Sequence, residues 1–144
     1  MLSETEAAFV RERRLAHLAT ADAEGWPHAV PICFVYLDGF FYSPIDEKPK
    51  KQGTLRRLRN IRDNPRAAVI FDSYDEDWSK LGWVLVRGAA SIVGDGTEHD
   101  AVVAALSEKY PQYKAMALSS RPLIKVTPDR VASWGQASST RPPH

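Results

Sequence analysis

The densest chemistry in this chain is cationic. Between Lys48 and Arg66 stand Lys48, Lys50, Lys51, Arg56, Arg57, Arg59, Arg62 and Arg66, with Asp63 the single acid among them. The whole chain carries a net charge of +1, so the remainder must be acidic on balance. Cations gathered where a hairpin ends and a helix begins suit a phosphate or another polyanion. The same residues would also serve as a solvated basic helix face. Other chemistry is sparse. His17, His28, His99 and His144 show no metal-ligand spacing, so no metal site is expected. There is no glycine-rich phosphate loop and no G-x-S-x-G elbow. Cys33 is the one cysteine, which excludes an internal disulfide, and its apolar strand context suits a small buried side chain. Trp78 lies in a polar loop where burial is not automatic, so it is a pocket or dimer candidate. The neighbouring Asp75, Glu76 and Asp77 read as solvated.

The elements that must position these residues follow from periodicity and turn chemistry. Ser3 and Glu6 have capping-box spacing and open a helix to about Arg14. Leu15–Thr20 reads as a strand, and Trp26–Leu37 as a second, longer one carrying Pro27 and Pro31. Asp38-Gly39 marks a tight hairpin into Phe40–Ser43. Thr54 then caps a basic helix from Leu55 to about Asp63, with Leu55, Leu58 and Ile61 facing the core. Asn64-Pro65 ends it. Ala67–Phe71 is a buried-type strand. Trp83–Val86 and Ala89–Val93 form one long strand or two broken at Gly88. Thr97 caps a third helix to about Tyr110, and the last strands are Pro122–Val126 and Arg130–Trp134. Strands outnumber helices and do not alternate with them, which argues for an antiparallel barrel with inserted helices.

Length and composition set the outer limits. With 144 residues and 44% hydrophobic residues, one domain can bury a core without staples. The domain is expected over residues 1–136, with a mobile tail at 137–144. The near-neutral charge argues against a general nucleic-acid binder. The first residues lack a basic and apolar leader, and no apolar run approaches a membrane span, so a cytoplasmic protein without a membrane partner is expected.

The order of several short stretches resembles the pyridoxamine 5′-phosphate oxidase-like (PPOX class) split-barrel family, and more closely its F420-dependent branch. They are Arg14-Leu15-Ala16-His17-Leu18-Ala19-Thr20, Gly25-Trp26-Pro27-His28-Ala29-Val30-Pro31 and Phe41-Tyr42-Ser43-Pro44-Ile45-Asp46. Leu58 to Arg66, Asp75 to Trp78 and Val86 to Ala90 complete the set, which extends from residue 3 to about 136.

The resemblance implies an antiparallel, FMN-binding type of split β-barrel. It also implies a homodimer with two flavin-type sites at the subunit interface. Carried over, Pro31, Ile32 and Cys33 would line the ring, and Tyr42, Ser43 and Pro44 would follow the ribityl chain. Lys48, Lys50, Lys51, Arg56 and Arg57 are the phosphate candidates, and Trp78 would come from a closing loop. Arg57 and then Arg56 are expected to dominate, because a helix start already favours an anion and a guanidinium binds it bidentately. The implied activity is an oxidoreductase that passes a hydride between coenzyme F420 and a small unsaturated or quinone-like molecule. The abundant cations suit that cofactor's extra carboxylates. The alternatives are an FMN-binding oxidase and a non-catalytic flavin or tetrapyrrole carrier. A cofactor that supplies the hydride chemistry agrees with a sequence that offers no obvious catalytic acid or base.

Overall fold

The computed structural model describes residues 1–45 and 56–138. Seven strands form one antiparallel sheet: β1 (Ala16–Ala21), β2 (Pro27–Ile32), β3 (Val35–Leu37), β4 (Phe40–Pro44), β5 (Arg66–Ser73), β6 (Gly82–Val93) and β7 (Leu123–Gly135). Three helices are inserted: α1 (Glu4–Glu12), α2 (Arg56–Asp63) and α3 (Thr97–Lys109). The strand order is β2-β1-β5-β6-β7-β4-β3. The sheet curls upon itself. β4 and β5 are three places apart in that order, yet the Phe41 and Phe71 rings meet at 4.9 Å. The result is a half-barrel with inserted helices, the split-barrel fold expected from the sequence.

Local chemistry explains most boundaries. Ser3 Oγ accepts from the Glu6 N–H at 3.1 Å and Glu6 Oε1 accepts from the Ser3 N–H at 2.9 Å, so α1 opens on a full capping box. Asp38 and Gly39 take φ of 55° and 88°, which lets two residues turn β3 into β4. Leu18, Val69, Val84 and Val86 point inward with Phe34 and Phe71 to make the main core. A second cluster joins α3 to the other end of the sheet through Tyr42, Val102, Leu106, Tyr110 and Leu123.

Three expectations are corrected. Trp26–Leu37 is not one strand. β2 and β3 occupy opposite edges of the sheet, and the chain breaks between them at Cys33 and Phe34. The Phe34 main chain therefore leaves the ladder. Its N–H donates to the Tyr110 hydroxyl at 3.2 Å, and its carbonyl accepts from Lys109 Nζ at 3.1 Å. The last two strands are one, β7, which runs straight through Pro128. The register shifts between Arg87 and Gly88, where Gly88 faces Pro128, so the missing proline N–H falls at an irregularity that does not need it. A Cβ at Gly88 would stand 1.9 Å from the Thr127 carbonyl oxygen, which fixes glycine there. Finally, Thr97 is the first residue of α3 and not its cap. Gly96 holds the cap position and supplies no side-chain bond. Ala137 is fully buried in the main core, so packed chain continues past Gln136.

Candidate functional site

α2 is seated on the barrel by its far half. Ile61 enters the main core, Asn60 Nδ2 donates to Thr20 Oγ1 at 3.1 Å, and Asn64 Nδ2 donates to the Asp22 carbonyl at 3.4 Å. The near half carries Arg56, which is exposed, and Arg57, which is only 8% exposed. Burial of Arg57 departs from the expectation that Leu55 and Leu58 would turn it outward. Leu58 is only partly buried, and the inward positions of α2 are Arg57, Asn60 and Ile61. Arg57 Nε is buried and has no hydrogen-bond partner among the described residues. A guanidinium keeps its charge at any physiological pH. Leaving one of its donors dry and unmet costs about 1–3 kcal/mol or more. An oxyanion at this point would supply the missing acceptor.

Other candidate residues are arranged around two surfaces. Pro31 is exposed on the outer face of β2, whereas Ile32 turns into the main core and Cys33, half-buried, packs against the second cluster. Tyr42, Ser43 and Pro44 on β4 are all buried. The Tyr42 hydroxyl donates to Glu98 Oε2 at 2.7 Å, and Lys125 Nζ donates to the same oxygen at 2.6 Å. Burial and then the adjacent Glu98 carboxylate hold the Tyr42 phenol above the usual tyrosine range. Hydrogen bonds from Lys125 and Tyr42 hold Glu98 below the usual carboxylate range. Tyr42, Glu98 and Lys125 are thus occupied with one another within the protein. Trp78 begins a short 3₁₀ turn capped by Asp77 and is 71% exposed. Lys48, Lys50, Lys51 and the capping Thr54 lie outside the described residues.

Sequence reading did not single out the outer face of the sheet. Pro31, His17, Ile70, Leu85 and Ala132 stand in one register row across five strands, opposite in sense to the buried Leu18, Val69 and Val84. Trp83 faces Trp134 directly in the adjoining part of β6 and β7. This row is mostly apolar and incompletely covered, while Arg66, Arg87 and Arg130 stand on the same face farther along the strands. Strict alternation along each strand was the available signal, but it could be used only once the strand neighbours were known. Among the described residues no group of histidine, cysteine or acidic side chains could hold a metal ion. No helix among them is long and apolar enough to cross a membrane.

Comparison with known proteins bears on this site. A family model described as pyridoxamine 5′-phosphate oxidase matches residues 2–135. A 5a,11a-dehydrotetracycline/5a,11a-dehydrooxytetracycline reductase of Streptomyces rimosus is 25% identical over 134 residues, which are 92% of this chain and 82% of the relative. Among solved structures, a conserved hypothetical protein of Mycobacterium tuberculosis superposes with a TM-score of 0.76 at 25% identity, covering 94% of this chain and 86% of its own. The heme storage protein HutZ of Vibrio cholerae superposes with a TM-score of 0.72 at 22% identity, covering 94% and 95%.

Proposed function

The chain belongs to the pyridoxamine 5′-phosphate oxidase family, and from that premise we propose that it is an oxidoreductase binding a phosphorylated flavin-type cofactor. The cofactor phosphate would lie at the start of α2. The observation that carries this reading is the buried, unpartnered Nε of Arg57. A phosphate there would accept from that donor and balance a charge that nothing else described balances. Arg56, exposed next to it, would add a second cation, and Lys48, Lys50 and Lys51 belong to the segment leading into the helix. FMN and F420 share the ring architecture and the ribityl phosphate, so Arg57 serves either. The family match reaches the family and not the F420 branch. The preference for F420 therefore rests on the cations and on the short stretches between Arg14 and Ala90 that resemble that branch.

When bound, the cofactor supplies the hydride chemistry. The protein's share is placement. Arg57 and Arg56 would anchor the phosphate. Pro31, on an exposed strand edge without an N–H to donate, would border the ring. The Tyr42–Glu98–Lys125 set would hold β4 rigid beneath it. The named reductase of Streptomyces rimosus supports a reductive direction on an unsaturated organic substrate. We also propose that the Trp83–Trp134 end of the outer face, away from Arg87 and Arg130, covers itself by homodimerisation, which would close the site with Trp78. A monodisperse monomer in light scattering at micromolar concentration would refute that.

The cofactor reading is tested by titrating FMN and F420 in parallel into the parent, Arg57→Met, Arg56→Ala and Lys48→Ala proteins. Binding that falls ten- to a hundredfold in Arg57→Met, about 1.5–3 kcal/mol, is the expected result. Arg57→Met that binds like the parent while Lys48→Ala does not would move the phosphate into the preceding segment. A bound, reduced cofactor that no unsaturated substrate reoxidises would make the protein a carrier and not an enzyme.

A further inference from the structure

A second cationic feature lies outside the proposed cofactor site. Arg87 on β6 and Arg130 on β7 are direct cross-strand partners. Side chains so placed share a face, with Cβ atoms about 4.5–5.5 Å apart, and like charges in that position are destabilising. Arg66 on β5 joins them on the same face, since β5 and β6 pair Arg66 with Ala89 and Ala68 with Arg87. All three are exposed. Among the described residues, no ion pair or side-chain hydrogen bond engages any of the three guanidinium groups. Asp129 is the single acid lining the same crease among the described residues.

The three arginines line a concavity of about 720 Å³, formed where the β6–β7 ladder slips at Gly88 and Pro128. Such volumes are typical of small-molecule sites, about 300–1,000 Å³. Arg87 and Arg130 also border an adjoining hollow of about 290 Å³ over Leu85, Val131 and Ala132. Bulges re-aim side chains and recur beside functional sites. Here the irregularity needs a glycine at 88 and gathers three cations beside one acid, Asp129, with which none of them forms an ion pair among the described residues. A solvated surface would gain from spreading these charges, whereas an oxyanion would bind all three at once.

We propose that this crease is a second anion site, one that takes a group bearing at least two negative charges. That group is an oxyanion, either a phosphate ester or clustered carboxylates, on a molecule larger than a simple ion. Arg57 sits at the other end of α2 from the Pro65-Arg66 rim of the crease, so this proposal stands whether or not the cofactor reading does.

The test uses inorganic pyrophosphate and citrate as probes, one for each oxyanion source. Binding is followed by calorimetry and by thermal melting of the full chain at low and moderate salt. The parent should bind at least one probe and melt higher in its presence. Arg87→Ala and Arg130→Ala should each weaken binding roughly tenfold, and Arg130→Lys, which keeps charge but loses the fork, by less. Without probe, Arg130→Ala should melt no lower than the parent, because a like-charge pair is relieved. Asp129→Asn should tighten binding. Arg57→Met, run alongside, should remove only binding at the start of α2 and keep the pyrophosphate binding that Arg87→Ala and Arg130→Ala weaken. Loss of probe binding in Arg57→Met but not in the Arg87 and Arg130 variants would overturn the proposal, since the anion would then sit at α2. Arginine variants that dissociate an oligomer and leave probe affinity intact would overturn it as well.

Discussion

Two corners of this molecule carry similar chemistry and treat it in opposite ways. At the corner of β4, β7 and α3, the tips of Tyr42, Glu98 and Lys125 all engage one another. Glu98 accepts from both Tyr42 and Lys125, and Lys125 Nζ also lies 4.0 Å from the Phe40 ring centre. At the start of α2, Arg57 is almost as buried as Tyr42 but its Nε has no partner among the described residues. Buried polar groups in native proteins are satisfied as a rule, and the exceptions call for an explanation. A satisfied corner holds elements together. An unsatisfied one, next to a helix start rich in cations, is built for something that arrives.

The comparison breaks most sharply at Arg57. Arg57→Met removes a buried charge with no counter-charge among the described residues and replaces it with an apolar chain of similar length. Cofactor affinity should fall ten- to a hundredfold, while urea stability of the cofactor-free protein should hold or rise. A large loss of cofactor-free stability would mean that Arg57 is structural, like Glu98. In the satisfied corner the signature should invert. Glu98→Ala leaves the buried Tyr42 hydroxyl unmet and should cost about 1–3 kcal/mol in urea denaturation. Its effect on cofactor affinity should be small once folding is saturated. Because Glu98 is held below the usual carboxylate range, its contribution is present above that range and is lost as pH falls through the lowered value. Glu98→Gln should therefore flatten part of the acid limb of the stability curve. Tyr42→Phe, which removes one hydrogen bond and leaves the Glu98–Lys125 pair, should cost about 0.5–1.5 kcal/mol by the same assay.

The smallest expected effect is at Lys109. Burial first, and then Arg14, lower its amine from 10.5 to about 8, although its contact with the Phe34 carbonyl and ring favours the ammonium. Between those two values the unfolded chain holds a proton that the folded chain has lost. Raising the pH from 8 toward 10.5 should thus stabilise the fold, and the penalty should be fully present below pH 8. Denaturation midpoints across that window should rise less steeply in Lys109→Met than in the parent. Equal slopes would mean that the ammonium persists at its place over Phe34.

Much of the architecture could be read from residues close together in the chain. The Ser3–Glu6 capping box, the Asp38-Gly39 turn and the strand from Ala67 to Phe71 are all local matters of side-chain reach, permitted φ and alternation. The type of fold followed from counting such pieces, and the cationic stretch that ends in Arg57 was visible as composition. What could not be read was anything set by partners distant in sequence. The break at Cys33 and Phe34 exists because β2 and β3 pair with opposite edges of the sheet, and Tyr110 and Lys109, some 75 residues away, take the main-chain bonds left over. The run through Pro128 exists because Gly88 opposes it.

The site divides along the same line. The sequence by itself determined that cations cluster before and within α2 and that no metal-ligand or nucleophile spacing competes with them. Only the tertiary structure decided that Arg57 is the buried one, that Tyr42 is engaged by Glu98, and that Arg66, Arg87 and Arg130 meet in one crease. Charge is a property of a residue and travels with the sequence. Burial and pairing belong to two or more residues at once, and in a curled antiparallel sheet those residues come from strands that the chain reaches tens of positions apart.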